Sequence, residues 1–384
     1  MLRAETLVWK GRFSRAAGRE LGQALVARLG GIPDACWLFC PPREQLPRFL
    51  SGLVAGLGTD QLVGCTTDGE IASTGVYSNS VVLAGLISDR LQFTLAAALE
   101  LHRDSEKAGQ ELAAALGEQV RHVQLFSDGI TGNGCGILRG LRTAWRGRQV
   151  PVTGGCAGDQ GRFVQTFQFL GDRVLTDAAV AIGFQGDFAL GTGVRSGWCP
   201  IGLAKKVTRA QGNILYELNH QPALEVYERF LGKHAARLPA VGVEYPLGLV
   251  SECEEDDCYL LRATMSVNRR DGSITFAGEI PVGATVRLTC GDSNAILEAS
   301  AEATSRALAA LEGQPPALAF LYSCMARKIV LGRRTGEEFA TVRRVLGPEV
   351  PLIGFYTYGE YCPWERDGEN YFHNETAVIT LISA

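Results

Sequence analysis

Three stretches of this chain repeat one helix–strand–helix–strand plan, and that repetition constrains its fold more than any other feature. The first stretch reads as helix 15–29, strand 35–40, helix 44–57 and strand 62–70. Its second helix is the clearest, because Leu46, Phe49, Leu50, Leu53, Val54 and Leu57 step by three and four along one apolar stripe. The second stretch has helix 105–116, strand 122–129, helix 137–145 and strand 152–159. The third has helix 294–311, strand 318–324, helix 337–346 and strand 352–360. The first and third copies close alike, with Leu62-Val63-Gly64 running to Gly69-Glu70 and Leu352-Ile353-Gly354 running to Gly359-Glu360. Each copy is followed by a β segment, at 81–87, 174–184 and 376–382.

Strands alternating with helices imply parallel crossovers, so the fold class is α/β with mixed sheets, built from repeated αβαβ units. The trailing segments, such as 81–88 followed by 91–98, read as antiparallel hairpins beside each unit. A different stretch, 196–291, separates the second and third copies, with strands at 205–210 and 214–218, a helix at 222–231 and a turn at Arg270-Asp271-Gly272-Ser273. The expected organisation is two-domain: 1–219 holding two units, and 220–384 holding a small αβ insert plus the third.

Composition narrows the function classes. Lys+Arg 37 against Asp+Glu 41 leaves a formal charge of −4, which argues against a basic nucleic-acid face. No apolar run reaches the ~18 residues of a membrane helix, and the start has no signal-peptide core. The reading is a soluble, cytoplasmic chain with no nucleic-acid or membrane partner. Eleven cysteines, an odd number, read as free buried thiols rather than a disulfide frame.

In parallel α/β units, ligands collect at the carboxyl ends of strands. The residues at those ends are Cys65, Thr66, Asp68 and Glu70 in the first copy. They are Ser127, Asp128, Gly129, Cys156 and Asp159 in the second, and Ser323, Cys324, Arg327, Tyr356, Tyr358 and Glu360 in the third. Such a rim suits a small, amino-acid-like molecule in a cleft between repeats: Arg327 would fork onto its carboxylate, and Glu70 or Glu360 would take its ammonium. The alternative use of Gly-Glu pairs after strands is to shape turns and cap helices.

The whole chain resembles the FIST family (F-box and intracellular signal transduction proteins). The resemblance is carried by Gly64-Cys65-Thr66-Thr67-Asp68-Gly69-Glu70-Ile71, Gly154-Gly155-Cys156-Ala157-Gly158-Asp159 and Pro222-Ala223-Leu224-Glu225-Val226-Tyr227. It continues in Tyr322-Ser323-Cys324-Met325-Ala326-Arg327, 354–360 and Phe372-His373-Asn374-Glu375-Thr376. Asp68 departs from the commoner family pattern, which has a small residue there. The resemblance implies FIST N and C domains and a non-enzymatic sensory module that binds a small ligand, with His373 in a family motif beside it. It also implies a signalling partner, and a subset of free-standing bacterial members is similar to haem proteins that sense nitric oxide and regulate a separate histidine kinase. On that alternative, His220 and His373 are the axial candidates, with non-covalent haem as cofactor, since no Cys-x-x-Cys-His occurs.

Sharper chemistry has weaker signals. Cys36-x3-Cys40 lacks a second pair, and Cys253-Glu254-Glu255-Asp256-Asp257-Cys258 reads as an acidic exposed loop rather than a zinc site. Cys324, His373 and Glu360 would make a thiol–imidazole–carboxylate set for a thiol hydrolase only if they met in space.

Overall fold

The computed structural model describes residues 2–250, 259–365 and 368–383. Each repeat builds the middle of its own six-stranded mixed sheet, in which the two repeat strands pair in parallel and the trailing strand returns antiparallel beside the first. In the first sheet the order is Leu2–Trp9, Val81–Ser88, Ala35–Cys40, Leu62–Thr66, Gln168–Leu170, Arg173–Leu175. The second sheet centres on His122–Ser127 and Val152–Cys156, the third on Leu318–Cys324 and Leu352–Thr357. The sheet class and mixed strand directions are those expected from the repeat.

The units exchange strands in a circle. The first unit gives its hairpin (Glu70–Ala72, Gly75–Tyr77) to the third sheet, the second gives Gln168–Leu170 and Arg173–Leu175 to the first, and the third gives Glu360–Pro363 and Asn370–His373 to the second. The opposite edges are filled the same way. Leu91–Leu99 lies on the second sheet, Ala189–Arg195 on the third, and Leu2–Trp9 on the first. The 81–88 and 91–98 segments therefore do not form the expected hairpin. Val81–Ser88 already has both edges occupied, by Ala35–Cys40 and Leu2–Trp9, so the next strand must pair elsewhere.

Both faces of the central strands of these three sheets are buried, which explains why those strands read as unbroken apolar runs. In Ala35–Cys40, Trp37 and Phe39 face the centre of the molecule while Leu38 and Cys40 face the helices Arg15–Leu29 and Leu46–Leu57. The centre is aromatic. Phe39 packs on Phe355 at 4.5 Å and on Phe126 at 5.3 Å, and Trp37 packs on Phe320 at 5.1 Å, so rings from all three sheets touch. Each fully buried ring contributes about 1.5–3 kcal/mol by burial alone. The helix pairs that cover the outer faces are brought close by glycines. A Cβ on Gly52 would stand 1.9 Å from the Arg15 carbonyl oxygen, and one on Gly18 would stand 2.1 Å from that of Phe49.

The stretch between the second and third units forms its own sheet around Val207, Leu215, Tyr227, Phe276 and Val286. It starts at Trp198 and runs to Gly291, with helix Ala223–Leu231 against it. The division expected at 219–220 falls inside this body: Ile214–Leu218 pairs with Ser273–Phe276 on the far side of that point. A short helix, Met325–Leu331, directly follows strand Leu318–Cys324, where the repeat pattern contains none. Among the described residues no helix is long and apolar enough to cross a membrane.

Gly52→Ala is expected to lower unfolding stability by about 1–3 kcal/mol, because overpacking outweighs the gain in helix propensity. Gly336→Ala, in helix Thr335–Leu346 with open space around its Cβ position, should be neutral or stabilise by up to ~1 kcal/mol. Urea unfolding of both variants checks the contrast.

Candidate functional site

The tips of the three second strands meet and bond to one another. The Gly158 amide donates to the Thr66 carbonyl at 2.8 Å, that of Tyr358 to Cys156 at 3.1 Å, and that of Asp68 to Tyr356 at 3.0 Å. These are the same two positions in each repeat, so the three tips close a ring around one axis. The ring leaves no room at its middle: a Cβ on Gly158 would lie 2.7 Å from the Asp68 amide nitrogen. Asp68, the residue that departs from the family pattern, pairs with Lys328 (Nζ to Oδ2, 3.1 Å), which also bonds the Asp68 carbonyl.

Most of the carboxylates at the tips shape the fold. Glu70 accepts from Thr67 Oγ1 at 2.7 Å and from the Ser80 hydroxyl and amide at 2.9 and 3.1 Å. Glu360 repeats that arrangement in the third unit, with Thr357 Oγ1 on one oxygen and the Thr376 hydroxyl and amide on the other. Each glutamate thereby ties its departing hairpin to its returning strand. Asp159 accepts amides from Arg162, Phe163, Val164 and Gln165 and the Tyr358 hydroxyl at 2.6 Å. Burial pushes this carboxyl up, and those donors more than reverse it, holding it below the usual range. Asp128 takes the amides of Ile130, Thr131 and Asp177.

Arg327 is fully buried and spends all its donors on the protein. Nε meets Glu338 at 2.7 Å, Nη2 meets Ser300 Oγ and the Ile296 carbonyl, and Nη1 meets the carbonyls of Ser196 and Glu375. No N–H remains for a ligand carboxylate, so the fork expected of Arg327 serves the packing of the third unit, while Glu70 in the first unit and Glu360 in the third bond hydroxyls and amides in place of the ammonium contact expected of them. Tyr356 donates to the same Glu338, at 3.2 Å. Thr66 Oγ1 accepts from the Phe167 amide at 3.0 Å, and Cys65 lies in the central core. Cys324 is buried beside Glu360 and Glu375; burial and then those carboxyls push its thiol well up. Glu375 is itself buried, with both carboxyl oxygens unpartnered among the described residues, and burial pushes its carboxyl up.

An opening for a ligand lies off the axis. A cavity of about 210 Å³ separates the second unit from the inserted sheet. On one side it is lined by Asp128, Thr131, Asn133, Cys156 and Tyr358, and on the other by Met265 and Thr275. Helix Gly134–Ala144 begins at this cavity; Asn133 Oδ1 caps its Cys135 and Gly136 amides. At the wall, Ser127 Oγ bonds Tyr361 at 2.7 Å and contacts Cys156 Sγ at 3.2 Å. Of the sequence-expected rim residues, Ser127, Asp128, Gly129, Cys156 and Tyr358 line this cavity, while Cys65, Thr66, Asp68, Glu70, Asp159, Ser323, Cys324, Arg327, Tyr356, Glu360 and His373 do not. Asn133 carries a cap signal before its helix in the sequence. Met265 and Thr275 carry none, because only the fold brings the insert over the second unit.

The histidines do not fit a porphyrin. His373 is buried against Trp364, with Nε2 on the Cys362 carbonyl at 2.9 Å, and burial pushes its ring down to about 3. His220 is exposed on a turn of the inserted sheet with φ +61°. One stands in the second sheet and the other in the insert, and His373 has no open face for a large ring. Among the described residues no group of three or more His, Cys, Asp or Glu is placed to hold a metal. The Cys253–Cys258 motif lies outside the described residues. The described cysteines are free.

Two outcomes follow from the buried charges. Arg327→Met should cost about 3–5 kcal/mol by stranding Glu338, and adding Glu338→Gln should recover part of it, read by urea unfolding. Burial raises Glu360 to about 7, against the hydroxyls of Thr357 and Thr376. The fold then binds a proton that the unfolded chain (about 4.3) releases, so this stability is complete below about pH 4.3 and is lost as pH rises through about 7. Glu360→Gln should remove that loss, on the order of 2 kcal/mol between pH 5 and pH 8 relative to the parent chain.

The FIST N domain model matches residues 34–221 and the FIST C domain model residues 223–363. An uncharacterized protein of Methanocaldococcus jannaschii is 26% identical over 209 residues, 51% of this chain and 40% of that protein. Uncharacterized proteins of Mycobacterium bovis and Mycobacterium tuberculosis are each 29% identical over 245 residues, 60% of both chains. The chain thus spans roughly half the length of these curated relatives. A cyanuric acid hydrolase from A. caulinodans aligns over 100% of this chain and 99% of its own at TM-score 0.38 and 10% identity. A chorismatase does so at TM-score 0.35 and 10% identity, with the same coverage; likenesses this distant carry no inference about chemistry. With two matched domains spanning most of its length, the chain belongs to the FIST family of sensory domains in signal transduction.

Proposed function

We propose that this chain is a cytoplasmic sensory module, without catalysis of its own, that takes up a small amino-acid-like solute between its second unit and its inserted sheet. The observation that carries this reading is the pairing of opposite polarities in one small cavity. The Asp128 carboxylate, 5% exposed, lines it, and so does the start of helix Gly134–Ala144. A zwitterion would set its ammonium toward the first and its carboxylate toward the second, where the positive end of the helix dipole favours an anion. Phe276 and Phe372 supply apolar wall for a side chain.

The cavity has walls from two bodies with separate cores, so a bound solute favours the arrangement in which both contact it. A signalling partner, such as a separate histidine kinase, would read that arrangement. The buried, raised thiol of Cys324 supports the non-enzymatic reading, since nucleophilic cysteines need a lowered pKa.

A thermal-shift panel of the amino acids and related zwitterions tests the proposal. A true ligand should raise Tm progressively with its concentration, reaching about 2.7 kcal/mol of stabilisation at a hundredfold excess over Kd. Met265→Trp, which fills the cavity from its half-exposed wall, should abolish the shift and leave the unliganded Tm within a few degrees. No concentration-dependent shift with any solute, or one that survives Met265→Trp, overturns the proposal.

A further inference from the structure

The far half of helix Gly134–Ala144 borders a second cavity, of about 170 Å³, between that helix, the inserted strand Tyr259–Arg262 and strand Asn370–His373. Its wall carries four guanidinium groups, those of Arg139, Arg142, Arg148 and Arg262, and one carboxylate, Glu369. Two of the four are neutralised locally: Arg139 by Glu106 and Glu279, and Arg142 by Glu369. Arg148 and Arg262 have no carboxylate partner among the described residues.

Arg262 is the unusual one. It is 4% exposed. Nε donates to the Glu279 carbonyl at 2.9 Å, and Nη1 donates to the carbonyls of Leu261 and Phe372, each at 3.0 Å. These three bonds fix the plane of the guanidinium. They leave Nη2, with two N–H groups, facing only the Cys135 sulfur at 4.0 Å. A buried cation without a counter-ion is costly, several kcal/mol after relaxation, and folds retain such a group when something neutralises it. In the same wall, the buried indole nitrogen of Trp145 has no acceptor among the described residues, and Arg148 lies over the Trp145 ring at 5.8 Å with one Nη on the Val120 carbonyl at 2.8 Å. Among the described residues, an indole donor without an acceptor and two guanidinium groups without an ion pair thus line one small space, beside the Arg142–Glu369 pair.

We propose that this cavity is a binding site for a small oxyanion, a carboxylate or phosphoryl group, held by the free Nη2 edge of Arg262 and by Arg148. Guanidinium groups present paired N–H donors at the spacing of such oxygens, and a site walled by protein strengthens the pairing over that in water. The site is separate from the cavity at the start of the helix and does not depend on what that one binds. Both lie where the insert meets the second unit, so an anion here would tie the same two bodies together.

Isothermal titration with inorganic phosphate and with succinate, and glycerol as a neutral control, tests the site and separates the two anion sources. At least one anion should bind the parent chain saturably at one site while glycerol does not. Arg148→Ala, on an exposed side chain, should weaken that binding about tenfold. Arg262→Gln should abolish it, and Gln149→Glu, which sets a carboxylate in the exposed wall, should also weaken it. Met265→Trp, in the other cavity, should leave it unchanged. If Arg262→Gln does not fold, the other two variants decide. No saturable binding of either anion, binding insensitive to both Arg148→Ala and Gln149→Glu, or loss of binding in Met265→Trp overturns the proposal.

Discussion

Everything in this molecule depends on the exchange of edge strands among three sheets. Each unit by itself offers a parallel pair and one returning strand, and its two sheet edges would be open to water or to aggregation. Passing a hairpin to one neighbour and a strand to the other pairs both edges of each unit's own three-stranded centre. It also forces the inner faces together, so that Trp37, Phe39, Phe126, Phe320 and Phe355 make one dry core rather than three. The chain is open, yet the circle closes, because Leu2–Trp9 takes the place on the first sheet that a strand following the third unit would occupy.

The same convergence accounts for what the polar tips do. Three strand ends meeting on an axis bring backbone amides and carbonyls into a confined space, and those groups must be paired. The ring of Asp68, Gly158 and Tyr358 amides on Tyr356, Thr66 and Cys156 carbonyls pairs them and fills the space. Glu70 and Glu360 then act as equivalent braces, each joining a hairpin to a returning strand. The openings of the structure lie on the flank, where the inserted sheet leans on the second unit and two cavities border one helix.

Much of this was legible in residue order. Helices Arg15–Leu29 and Ser105–Leu116, and strands Ala35–Cys40 and Leu318–Cys324, stand at the places their apolar periodicity and glycine punctuation predict. Helix Met325–Leu331 was not legible, since seven residues carry too few turns for a stripe to emerge. Among the site residues, the tip carboxylates were found, but their use was not. A buried Glu that meets Thr and Ser hydroxyls reads the same in a sequence as one that awaits an ammonium.

Local spacing determined the repeats, the element types and the mixed α/β class, because these depend on periodicities of two and 3.6 residues within short windows, while the kinship with FIST domains was carried by short motifs such as Gly64–Ile71 and Phe372–Thr376. Only the tertiary structure decided which sheet each strand joined, that Arg327 was already saturated, and that Arg262 and Asp128 stood beside cavities. Those outcomes turn on the occupancy of sheet edges and on contacts such as Asn133 with Glu279, 146 positions apart, for which no local pattern in the chain provides a signal.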